Sequence, residues 1–242
     1  MHLPRLLTGL AAGWVAAGTA AAADPVRPTT PYRPAATSAP SVLDAVDPAY
    51  RDAVGQVVRQ PTISAKAADE PFTAHAKVYD WLLDHPDRAC VAWRRMGVPC
   101  VEITELGRGR FHWADGTGSE LTWQAVGRFA DGVVWYATGK VKPGALLPTA
   151  PVKAVAVLRA PREPADPKLG TAEFTPAVSV YLQTDSKAAA AVMRMLGPAA
   201  PRMAEQGAEQ LLLFFAGPAR YVHKHPDEAT TLLAPARKAK AE

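Results

Sequence analysis

Cysteine is nearly missing from this chain: two in 242 residues. That excludes a disulfide-framework scaffold and a four-thiolate zinc site, both of which need more sulfur ligands. Charge of one sign is missing too. Lys and Arg number 27 against 23 Asp and Glu, for a formal net charge of +4. The one basic cluster, "ARKAKAE" at 236–242, reads as a solvated terminus. Nucleic-acid binding would want clustered Lys and Arg with interleaved aromatics, so it is not expected. Beyond the N-terminus no stretch reaches the ~20 consecutive apolar residues that a spanning helix needs. No H-E-x-x-H, Walker loop or dinucleotide fingerprint is present, and no metal or cofactor is implied. "GTGSE" at 116–120 misses the G-x-S-x-G nucleophile elbow and reads as a hairpin turn. No internal repeat is visible.

What is present begins with an export signal. Arg5 supplies a positive start, Leu6–Ala17 is mostly apolar, and Ala21 and Ala23 fit a small-residue cleavage site before Asp24. Residues 1–23 are therefore expected to be a signal peptide and the protein to be exported, periplasmic or extracellular. A short membrane anchor is the competing reading of the same stretch. Residues 24–41, "DPVRPTTPYRPAATSAPS", hold five prolines and little bulk, which predicts a disordered Pro-rich linker running to 46. One α+β domain is expected over 47–228, with a flexible tail at 229–242.

Within that domain, Asp47 and Pro48 are good first-turn residues for a helix over 47–59, with Tyr50, Val54, Val57 and Val58 on one face. A strand is expected from 62. "VYDWLLDHPDRACVAWRRMG", 78–97, follows with helical spacing, broken at Pro86 and stopped by Gly97. The pattern then changes to period two over 101–106, 109–114, 120–129, 132–142, 151–160 and 174–183, with Gly- and Asp-bearing turns between. Leu121, Trp123, Ala125 and Phe129 fall on one side, opposite Thr122, Gln124 and Arg128. This predicts an antiparallel meander with one apolar and one wet face. "TDSKAAAAVMRML" starts a helix that Gly197-Pro198 interrupts. A long helix resumes over 201–225, where Met203, Gly207, Leu211, Phe214 and Pro218 share a face. It is the natural cover for the sheet. Gly207 on that face implies close backbone approach or room for a ligand, since glycine there costs roughly 1 kcal/mol against alanine.

Cys90 falls on the helix and Cys100 at the start of a strand, across the turn at Gly97–Pro99. In an oxidising compartment they either bridge, for ~2–3 kcal/mol, or stay as two buried thiols. His112, beside Trp113 and Asp115, is the one candidate acid or base in a pocket; a partly exposed strand histidine explains it as well. Glu102 and Glu105 have opposite parity and form no carboxylate pair. His75, His85, Asp84 and Asp87 read as solvated helix ends, and His223 and His225 as cations at a helix C-terminus.

The stretch "TISAKAADEPFTAHAKVYDWLLDHPD", with its P-x6-V-Y-x-x-L-x-D step, resembles the opening of the START-like, polyketide-cyclase-like (SRPBCC) superfamily over roughly 62–225. The resemblance implies a helix-grip fold: a curved antiparallel sheet of about seven strands wrapped on a long C-terminal helix, with a hydrophobic tunnel between. Trp123, Trp135, Met203, Leu211 and Phe214 would line that tunnel, and Trp81 and Trp93 would plug its core or mouth. Large aromatics beside small residues (Ala125, Gly127, Ala137, Gly139, Ala154 and Ala156) suit a lined pocket and suit an ordinary close-packed core equally. The expected function is non-catalytic binding of a hydrophobic small molecule or lipid. The alternative is a structural or protein-interaction module with a filled core and no ligand. An enzyme based on His112 ranks last, having no identifiable partner residue. The family has no universal catalytic motif to carry over, and oligomeric state is not legible.

Overall fold

A computed structural model of the chain describes residues 42–142, 149–184 and 199–235. The expected signal peptide, residues 24–41 of the expected linker, the helix expected from Thr184 to Leu196 beyond its first residue, and the end of the expected tail lie outside the described residues.

The chain enters through a 3-10 turn at Val42–Ala45 and another at Pro48–Tyr50, then helix α1 (Arg51–Arg59). Asp47 Oδ1 accepts from the Ala49 amide at 2.9 Å, the cap its sequence foretold. Strands β1 (Ile63–Ala68) and β2 (Phe72–His75) lead to helices α2 (Ala76–Asp84) and α3 (Pro86–Arg95). The break between the helices falls at His85, whose φ of −129° and ψ of 65° are non-helical, as the proline that follows requires. Strands β3 (Ile103–Gly107), β4 (Arg110–Ala114), β5 (Glu120–Phe129), β6 (Gly132–Val141), β7 (Ala150–Arg159), β8 (Arg162–Asp166), β9 (Thr171–Phe174) and β10 (Ala177–Gln183) follow. Helix α4 (Ala199–Lys224), a 3-10 turn at Pro226–Glu228 and helix α5 (Ala229–Leu233) end the described chain.

Seven strands form one sheet in the order β1-β10-β7-β6-β5-β4-β3, every neighbour antiparallel. Helix α4 packs on its inner face, against β1 and β10. The fold is thus α+β, a helix-grip arrangement of a large antiparallel sheet and a C-terminal helix. A second sheet, β2-β9-β8, was not expected. Its strands are four or five residues long. Pro164 interrupts one of them, so no period-two run betrays it in the sequence.

Four expectations need correction. The sheet's outer face is not uniformly wet. Val46, Val54, Val57, Val126, Val134, Val155 and Val157 form a second buried layer there, under α1 and the turns before it. Residues 42–46 are accordingly part of the fold rather than linker: Val46 bridges to Gly127, and the Asp47 amide bonds to the Val126 carbonyl at 2.8 Å. Gly127 permits that approach, since a Cβ there would stand 2.6 Å from the Ala45 carbonyl oxygen. The tail does not begin at 229 either. Leu232 of α5 is buried against Ala92 and Val222, and Arg95 Nη1 donates to the Thr231, Leu232 and Ala234 carbonyls at 2.6–2.8 Å, satisfying a helix end that has lost its own donors.

The fourth correction concerns β5. A bulge between Ala125 and Gly127 inserts Val126 without a cross-strand partner. One extra residue exchanges the two faces of everything beyond it. Phe129 therefore packs in the outer layer, with Arg159 over its ring, and not beside Trp123. Arg128 pairs with Asp84 of α2.

Candidate functional site

The apolar stripe of the 78–97 segment lies against α4. Trp93 donates its indole Nε1–H to the Phe214 carbonyl at 2.9 Å, fully buried. That oxygen is available because Pro218, four residues on, has no N–H to give it. Gly217 makes room for the ring, since a Cβ there would meet Trp93 Cζ2 at 2.2 Å. Gly207, where close approach of the sheet backbone or room for a ligand was expected, is only half-buried; the tight contact is at Gly217, and it is with the Trp93 ring of α3 rather than with the sheet. Trp93 joins the core, and Trp81 stacks on His85 at 4.5 Å. Neither borders the cavity described next.

Between the inner face and α4 lies an apolar cavity of about 150 Å3. Its origin can be read from the cross-strand register. One row across the sheet runs Trp123, Ala137, Ala154; the next runs Ala125, Trp135, Ala156. Each tryptophan therefore faces an alanine, and Ala137, Ala154 and Ala156 lie together under the helix. Leu211, Phe214 and Phe215 descend from α4 above them. Phe215 stacks on Trp135, with centroids 5.4 Å apart and planes 11° from parallel, and meets Phe214 edge-on at 4.9 Å. Trp113, Leu121, Ile103 and Pro86 complete the wall.

Trp123, Trp135, Leu211 and Phe214 thus border this cavity. Met203 lies on α4, but its side chain is outside the described residues. Trp113, Phe215, Ile103, Leu121 and Pro86 were not in the sequence-based set. Trp113 had a signal, its parity with Phe111 on a strand that pairs with β5, and Phe215 had one in the widened stripe of the helix. Ile103 and Pro86 had none.

Every lining residue is apolar, and its only polar side-chain atoms are indole N–H groups. Such a wall offers no acid, base or nucleophile. His112 sits on the other face of β4, opposite in parity to Phe111 and Trp113, with Nδ1 3.3 Å from the Thr122 hydroxyl. His223 meets His75 ring to ring at 5.6 Å, and His225 packs on Tyr221, both away from the cavity. Among the described residues no group of three or more His, Cys, Asp or Glu could hold a metal ion. Nor, among them, is any helix long and apolar enough to cross a membrane. Cys90 and Cys100 are both free thiols. Cys100 stands in the extended segment just ahead of β3 rather than in it.

No family model matches the chain, and no curated protein does. Solved structures do match. A conserved protein from Geobacillus kaustophilus shares 12% identity at a TM-score of 0.38, covering 67% of this chain and 96% of that one. Ara h 8.0201 shares 16% identity at a TM-score of 0.36, covering 66% and 98%.

Proposed function

We propose that this is an exported, non-catalytic binder of a small hydrophobic molecule, or of the apolar end of a larger one, in the cavity between sheet and C-terminal helix. The observation that carries the reading is a wholly apolar cavity of about 150 Å3 over a floor of three alanines. A dry cavity of about that size takes up benzene when lined by Leu, Ile and Phe. Burial at ~25 cal/mol per Å2 is the driving force available. The volume suits one aromatic ring or a short alkyl end, so a lipid would place only its tip here. Export rests on the signal-like residues 1–23, and membership of the START-like superfamily on the opening motif together with the helix-grip arrangement.

The competing reading, an interaction module without a ligand, draws support from the same volume, which is below the ~300 Å3 at which small-molecule pockets usually begin. Titration with benzene and with indole, followed by NMR of the tryptophan side chains, separates the two. Saturable shifts at Trp123 and Trp135, absent in Ala156→Leu, are the expected result. Shifts that neither saturate nor depend on Ala156 would favour the module.

A further inference from the structure

The two cysteines are brought together by the fold, independently of any ligand. Cys90, on α3, is 1% exposed, and Cys100 is half-buried. Cys90 Sγ donates to the Val101 carbonyl at 2.7 Å, and Cys100 Sγ lies 3.7 Å from that same oxygen. The segment joining them is already pinned to the helix. The Val98 amide bonds to the Trp93 carbonyl at 2.9 Å, and Arg94 Nε to the Cys100 carbonyl at 2.8 Å. Two thiols crowding one oxygen, at the ends of a short loop closed by other bonds, are arranged for exchange rather than merely buried.

We infer that Cys90 and Cys100 form a dithiol–disulfide site that reacts with small-molecule disulfides and, once oxidised, staples α3 to the segment entering β3, where Ile103 forms part of the cavity wall. The ionised member of the pair attacks one sulfur of the external disulfide and expels one thiolate. The other cysteine then attacks the protein sulfur of the mixed disulfide and expels the second thiolate. Two electrons pass from the protein sulfurs to the external disulfide, and the two protons of the thiols go to the two expelled thiolates. In the reduced pair the Cys100 thiol, hydrogen-bonded to Cys90, draws the Cys90 pKa below the ordinary thiol value against the opposing effect of burial, and Arg94 adds to the lowering. Cys100 holds its proton correspondingly more tightly. Such a pair titrates as a unit.

The test uses the full chain, reduced, desalted and exposed under native conditions to oxidised glutathione, then quenched in acid. Expected are a mass loss of about 2 Da, a thiol count falling from two to none and full reversal by dithiothreitol. Closing so short a loop should raise Tm by about 5–10 °C. A persistent glutathione adduct, or two thiols surviving the oxidant, would overturn the inference. Cys100→Ser should show no oxidant-dependent rise in Tm; a rise in that variant would equally overturn it. Neither readout involves the apolar probes, so this site and the binding reading stand or fall separately.

Discussion

One helix covers both ends of the inner face, and the two ends are built differently. Toward α2 and the small sheet, Phe72, Tyr79 and Phe174 lock ring against ring, with centroids 4.7–5.6 Å apart. Arg220 and Arg162 lie over two of these rings while pairing with Asp69 and Asp80 at 2.8 Å. The Tyr79 hydroxyl is buried at this end, and desolvation drives its pKa far above the ordinary phenol value. Toward Leu211 the same helix faces three alanines and leaves a hollow. Aromatic content does not explain the difference, since the hollow end has more rings, five against three. What differs is the sheet beneath the helix: at the second end the strands beside Trp123 and Trp135 present only the methyl groups of Ala137, Ala154 and Ala156. Large residues facing large fill space, and large facing small leave it.

The largest expected effect breaks the filled end. Phe174→Ala should cost about 3–5 kcal/mol in urea unfolding, since a fully buried ring would leave a cavity that its packed neighbours cannot close. Benzene binding at the other end should survive under conditions where the variant stays folded. A loss under about 1 kcal/mol would mean that the end is not packed as described.

Next comes the joint between the ends. Gly217→Ala would force Trp93 off the helix and stretch its bond to the Phe214 carbonyl, for about 1–3 kcal/mol. A shift of the Trp93 indole N–H resonance out of its hydrogen-bonded position should accompany the loss. An unmoved resonance would show that the ring does not rest on Gly217.

Filling the hollow should be nearly free. Ala156→Leu places bulk opposite Trp135 in existing space, so stability should change by less than about 1.5 kcal/mol. A cost above 3 kcal/mol in the same urea assay would mean that the space is not there.

The smallest effect is a pH step in the hairpin that carries Trp113 and Leu121. Burial would raise the Asp115 pKa. Hydrogen bonds from Ser119 and Thr117 outweigh it and hold the carboxyl below the ordinary aspartate range. A folded-state pKa below the unfolded one stabilises above the unfolded pKa and is lost as pH falls through the folded one. Tm should therefore drop slightly below about pH 4. Asp115→Asn should remove that part of the drop; an identical pH profile in the variant would assign it elsewhere.

Much of this was legible residue by residue. Asp47 as a cap, the break before Pro86, the hairpin turns and the amphipathic face of α4 are all signals carried within a few residues, and the fold places them where local chemistry says. The bulge at Val126 was not legible, because nothing in "QAVGR" distinguishes a bulge from plain alternation until Val46 is seen bridging to Gly127. The Trp93–Phe214 bond was not legible either. It joins residues 121 positions apart and depends on a proline whose visible effect in sequence is only to discourage a helix.

Hydrophobic period and turn chemistry alone determined an antiparallel sheet, a long covering helix and which tryptophans face inward, because each depends on neighbours in the chain. Whether those tryptophans meet rings or alanines depends on register across three strands and on the helix set above them. A void is the difference between summed side-chain volumes and the space that distant segments enclose, so the hollow, its size and the pairing of the two thiols were decided only by the tertiary structure.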